Sequence, residues 1–388
     1  MSDPTPVVVE ASRRRVDLRP FAAGAAIFLL LFAGGNAVGG ELGQVMAASV
    51  NALPFAVLAV LAYLGGERPN WAWIASGLWL ALMVGGASLA ALGLGIGALV
   101  DGPLNDPANP PQLTPDDLLR SGLIIVGIVA SIVIGALPLL PAVRRGLARY
   151  LPIDPDSFVH TIALVAVLMI SLICSVPLLV LGAPPLLALI DTLAGDANGR
   201  DSAGLLRDQI YGLVWTIPAA ILAVGFGITR NLSTALARLG LVRPTLRQVL
   251  AGLSLALLLA GAVQLLGLGI DWLWGVLGWP LTDEEAFGEL LGFAFSPVGA
   301  VVIGISAGLG EELAVRGVLQ PRLGLLLSNL FFMSLHALQY NWDALLIVFV
   351  VGVVCGIVRN RANTTTAAIV HGTYNFTLIM LATAGIGG

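Results

Sequence analysis

The sequence predicts an all-α fold, a polytopic membrane protein of about eleven transmembrane helices. Three observations carry that expectation. Of the 388 residues, 57% are hydrophobic and 11% charged, with a mean hydropathy of +0.94, whereas a soluble domain carries about 25% charged residues. Apolar runs long enough to cross a bilayer, about 20 residues each, recur along almost the whole chain. The runs are also apolar on nearly every face, as at 251–263 and 346–358, where a membrane β-strand alternates apolar and polar residues over about ten positions. Helices are therefore the expected spanning elements.

Residues 1–20 are polar and contain Arg13, Arg14, Arg15 and Arg19, followed by an apolar run over 21–38. That order reads as a start-transfer anchor, with a cleaved signal peptide as the competing reading. Further runs follow at 45–65, 71–99, 119–141, 157–182, 209–229, 248–278, 296–315, 323–341, 344–358 and 363–386. Pro138, Pro177 and Pro218 fall inside runs and predict kinks supported by neighbouring helices. Trp71, Trp73, Trp272, Trp274, Trp279 and Trp342 fall near run ends, as interface anchors do.

Charge sets the expected topology. Arg144, Arg145 and Arg149 follow one run, Arg230, Arg238, Arg243 and Arg247 another, and Arg359 and Arg361 a third. The positive-inside rule makes these loops cytoplasmic. The acidic segments 101–117, 191–208 and 283–289 then fall outside, and the N-terminus inside. The expected location is the cell membrane, with lipid as an obligatory partner. The net charge of −4 and pI near 5.4 say little beside the arrangement of charge, and no nucleic-acid partner is expected. All 19 basic residues are Arg, which removes Lys as a catalytic base. Cys174 and Cys355 lie in apolar runs, where a thiol is more often a small core residue than a ligand. The segment 242–248, with Arg243 and Arg247 around Pro244, marks the best boundary. It divides a multi-span N-terminal module, residues 1–241, from a C-terminal one, residues 242–388.

Ionisable side chains within spans cost about 2.5–3.5 kcal/mol each on insertion scales and are functional candidates by default. The C-terminal module concentrates them. In Glu311-Glu312-Leu313-Ala314-Val315-Arg316, Glu312 and Arg316 are four apart and share a helix face, so the guanidinium can neutralise that carboxylate. Glu311 points about 100° away. Phe332 and His336, and then His371 and Asn375, repeat the four-residue spacing on later runs. Three helices could turn a carboxylate, two imidazoles and a carboxamide into one cavity. Such a set can hydrolyse an amide, a carboxylate and a histidine taking a proton from water while other donors hold the developing oxyanion.

The segments EELAVR, FMSLH and HGTYN resemble the EExxxR, FxxxH and HxxxN motifs of the CAAX protease and bacteriocin-processing family of intramembrane proteases. All three match in order and spacing, over a resemblance that covers about residues 242–388. It implies a helical core and a glutamate-type endopeptidase acting on a membrane-associated peptide or protein. In that reading Glu311 is the general base, His336 its partner on the water, and His371 with Asn375 the oxyanion stabilisers. Glu312, Arg316 and Phe332 support them. No metal or other cofactor is expected at the site.

Other readings remain open on residues alone. Glu311, Glu312 and Arg316 could form a structural ion network. Glu311, His336 and His371 could bind Zn²⁺, since two His and a carboxylate make a catalytic zinc set, although no HExxH helix is present to fix them. A non-catalytic scaffold or an immunity protein that binds a peptide would keep the fold. A transporter would use the same groups as a relay, but no internal repeat accompanies them. His160, beginning a run, reads as a hydrogen-bonded core histidine, and Asp271 as a carboxylate near the outer end of its span.

Overall fold

The computed structural model describes residue 34 and residues 37–67, 69–100, 114–190 and 202–386. The start-transfer or signal-peptide reading of the N-terminus and the Pro-rich loop near 101–113 lie outside the described residues. Among those residues every regular element is a helix, and the isolated bridge between Phe226 and Arg230 forms no strand.

The helices in chain order are α1 (Gly40–Ala48), α2 (Leu53–Glu67), α3 (Pro69–Gly97), α4 (Pro115–Ala136), α5 (Pro141–Leu147), α6 (Phe158–Leu181), α7 (Pro185–Ala188) and α8 (Ser202–Ala223). They continue with α9 (Leu232–Leu239), α10 (Leu246–Leu277), α11 (Glu284–Leu291), α12 (Pro297–Glu312), α13 (Gln320–Leu335), α14 (Trp342–Arg361) and α15 (Thr364–Thr383). A π-helical turn, Leu313–Leu319, joins α12 to α13.

The protein is an integral, multi-pass membrane protein, but the span count differs from the expected eleven. Among the described residues, six helical stretches are long and apolar enough to cross a membrane, or seven if the bent pair Gly40–Asn51 and Leu53–Gly66 is one span. The shortfall has physical causes. Helix α8 carries Arg207, Asp208 and Gln209, and α15 carries three threonines at its start with His371 and Asn375 beyond, so neither reaches the hydropathy of a simple span. The expected spans 296–315 and 323–341 merge into one stretch, Pro297–Leu335. A straight helix of that length would measure about 58 Å, twice the hydrocarbon thickness. The stretch is kinked instead of straight: Gly324 has φ 79° and ψ 170° within α13, a conformation that favours glycine.

Helix boundaries follow local chemistry. Thr245 and Gln248 form a capping box at α10, Ser296 caps α12 with Pro297 in its first turn, and Asn341 and Asn363 cap α14 and α15. Each cap satisfies a backbone N–H that a helix start leaves orphaned. Pro177 and Pro218 lie inside α6 and α8, whereas Pro138 sits in a 3₁₀ turn at the end of α4. Trp274 is buried and packs edge-on against Trp279; the other expected anchors are exposed. His160 is half-buried, and its Nδ1 accepts a hydrogen bond from the Asp154 backbone N–H at 2.8 Å.

The contact that matters most for the site is between α12 and α15, where backbones touch through glycine. A Cβ on Gly308 would lie 2.6 Å from Gly372 Cα, and one on Gly372 would lie 2.5 Å from the Gly304 carbonyl oxygen. Small residues four apart allow such approach in membrane helices. Helix α15 also packs against α10 and α14, and α8 packs against α12.

Candidate active site

Glu312 is the last residue of α12, and the π turn that follows carries Arg316. Such turns are rare and occur often at functional sites. The Arg316 Nε atom lies 3.4 Å from Glu312 Oε2, with both side chains at most 1% exposed. The guanidinium also donates through Nη2 to the Gly352 carbonyl at 2.8 Å and to Asn329 Oδ1 at 3.4 Å. Its Cζ stands 4.8 Å from the centre of the Phe332 ring. The expected partnership of Glu312 with Arg316 is thus in place, and Phe332 closes the other side of the cation.

The close helix contact brings His371 to both glutamates. His371 Nδ1 is 3.0 Å from Glu312 Oε1, and Nε2 is 3.8 Å from Glu311 Oε2. A carboxylate only accepts, so Nδ1 carries the proton toward Glu312. Unlike Glu312, Glu311 has a side chain 36% exposed. It lies on the wall of a cavity of about 1290 Å³ that also receives Phe332, His336, His371 and Asn375.

His336 ends α13. Its Nδ1 is 2.9 Å from the Phe332 carbonyl oxygen, so Nδ1 donates and the lone pair sits on Nε2. The ring stacks at 5.9 Å and 23° on Tyr340, and Phe332 meets both imidazoles edge-on, at 4.7 Å from His336 and 6.0 Å from His371. Asn375, one turn beyond His371, is half-buried on the same wall. All four residues expected to act on substrate therefore line one cavity, and the three expected to support them lie on its wall or directly behind it.

A histidine with Nδ1 tied back and Nε2 left open can serve as a general base or a metal ligand, but Glu311, His336 and His371 are not among the described residues whose ligand atoms converge within 4.8 Å of one another. A second set was not expected from the sequence: ligand atoms of Glu312, Cys355 and His371, all buried, lie within 4.8 Å of one another. Arg316 already meets Glu312 there, and a metal would bring a second cation against it.

The cavity has further polar walls that sequence reading did not single out: Asp208, Gln264, Thr282, Glu284, Tyr340 and Asp343. Asp343 is held by Thr282, whose backbone N–H donates at 2.9 Å and hydroxyl at 2.7 Å. Asp271 also faces this space.

Residues 293–377 match the family model described as type II CAAX prenyl endopeptidase Rce1-like. The Rce1-like segment runs from just before α12 to the middle of α15 and contains all seven residues singled out by the three motifs. No curated protein and no solved structure matches the chain.

Proposed function

We propose that the protein is an intramembrane endopeptidase that hydrolyses a peptide bond of a membrane-associated peptide or protein. The observation that carries this reading is the placement of Glu311: a half-exposed carboxylate 3.8 Å from His371 Nε2, on a cavity shared with His336 and Asn375, inside an Rce1-like segment.

In this account a water sits between Glu311 and His336 Nε2. Glu311 takes its proton as the oxygen attacks the scissile carbonyl carbon, and the negative charge develops on the carbonyl oxygen. Asn375 donates through its carboxamide to that oxygen, and His371 does so through Nε2–H when the ring is doubly protonated. The C–N bond then breaks, and the proton held by Glu311 passes to the leaving amine. Glu312 and Arg316 take no proton. They fix the His371 ring and supply one compensating pair of charges in a low-dielectric interior, where an unpaired charge is costly.

The account needs no metal. A zinc ion held by Glu311, His336 and His371 would instead polarise the carbonyl and acidify a bound water, a difference that metal analysis resolves. Within the proposed organisation, residues 242–388 form the protease module and residues 1–241 a membrane module beside it. The direct experiment incubates purified protein in lipid vesicles with a library of membrane-anchored peptides and sequences the products. New peptide termini are expected; folded protein that yields none removes the reading.

A further inference from the structure

The two ends of the bundle differ in charge, and the cavity reaches only one of them. At one end lie the α4–α6 connection with Arg144, Arg145 and Arg149, the α8–α10 connection with Arg230, Arg238, Arg243 and Arg247, and the C-terminus of α14 with Arg359 and Arg361. Contacts between these segments place them together. Arg230 and Arg322 both reach the Tyr63 hydroxyl, Arg238 donates to the Gly317 carbonyl, Thr364 donates to the Leu239 carbonyl, and Gly324 abuts Pro152.

The opposite end is built by the α6–α7, α10–α11 and α13–α14 connections. Asn341 donates through its side-chain amide to the Gly182 carbonyl and through its backbone N–H to the Thr282 hydroxyl oxygen, and Phe287 packs on Tyr340. Arg120 and Arg207 also lie toward this end, but each meets a carboxylate, Asp116 at 2.8 Å and Glu41 at 3.6 Å.

The cavity lining includes Thr282, Glu284, Phe287, Gln339 and Tyr340 from this second end and no arginine among the described residues. Toward the first end it stops at the site. Below it lie the buried Glu312–Arg316 pair, then Gln320, which donates to the Gly356 carbonyl and Asn360, and Arg359, which donates to the Arg316 carbonyl. These filled polar layers separate the site from the arginine-rich C-terminus of α14.

Arginine-rich loops stay in the cytoplasm. We propose that the Glu311 cavity opens to the extracytoplasmic face, so that the peptides it takes are segments presented outside the cytoplasm. The substrate part of this inference rests on the peptidase reading; the sidedness does not.

The test is thiol labelling of intact and permeabilised cells with a membrane-impermeant maleimide, which requires no turnover. Four exposed positions serve as added-cysteine reporters, with the unsubstituted protein, which carries Cys174 and Cys355, as blank: Glu285→Cys and Glu289→Cys at the cavity end, Arg145→Cys and Arg361→Cys at the other. Two reporters per end keep the result readable if one variant fails to fold. Glu285→Cys or Glu289→Cys should label equally in intact and permeabilised cells, and Arg145→Cys or Arg361→Cys only after permeabilisation. The reverse pattern overturns the proposal. A purified enzyme that cleaves nothing in detergent, where no sides exist, would instead remove the peptidase reading and leave the labelling result standing.

Discussion

His371 holds its Nδ1 atom 3.0 Å from Glu312 Oε1, and this inter-helix hydrogen bond ties the imidazole of α15 to the carboxylate that ends α12. Arg316 meets the other oxygen of the same carboxylate at 3.4 Å. Glu312 is therefore the hub of a buried triad, while Glu311, its neighbour in sequence, is left to face the cavity.

Removing the hub should damage the fold. Glu312→Ala leaves the Arg316 guanidinium, 1% exposed, without its carboxylate, and breaking a buried pair on one side costs about 3–5 kcal/mol. Thermal unfolding in detergent should show a large loss, with reduced expression. An unchanged midpoint would mean that the triad does not support the helices.

The glycine contact between α12 and α15 should be equally intolerant. Gly308→Ala places a Cβ 2.6 Å from Gly372 Cα, and backbone cannot yield as a side-chain tip can. Overpacking of this kind costs about 1–3 kcal/mol, and any separation of the helices lengthens the distance between His371 and Glu311. Gly261→Ala, with no atom within 4 Å of the new Cβ, is the control and should leave stability and turnover near normal. Matching behaviour of the two variants would contradict the close-contact account.

Asn375 tests the oxyanion assignment. Asn375→Ala should lower kcat by about 10²–10³, the size expected for losing one such donor, with KM little changed. A pure KM effect would recast Asn375 as a substrate-binding residue.

Much of this was legible in the sequence because spacing carries it. Glu312 and Arg316 meet as their four-residue separation requires, and the apolar runs around α3, α4, α6, α10 and α14 are helices of spanning length. What was not legible depends on contacts between helices. No spacing announces that His371 will bond Glu312, that Gly372 will meet Gly304 and Gly308, or that Cys355 will join Glu312 and His371. The count of eleven is not confirmed: the run at 21–38 lies largely outside the described residues, and the polar residues of α8 and α15 lower the hydropathy of those two helices.

Metal dependence follows from the same open Nε2 positions. Enzyme treated with chelator and shown by elemental analysis to be metal-free should retain its turnover. Stoichiometric zinc whose removal stops hydrolysis and whose return restores it would replace the water-activation account.

The central claim is that Glu311 activates the attacking water, and one comparison tests it most directly. Purified wild-type and Glu311→Gln protein, in the same vesicles and against the same membrane-anchored peptides, are compared by mass spectrometry of products alongside thermal unfolding. The amide is nearly isosteric but takes no proton from water, so cleavage should vanish while the unfolding midpoint stays in place. Cleavage by Glu311→Gln at the wild-type rate would contradict the account.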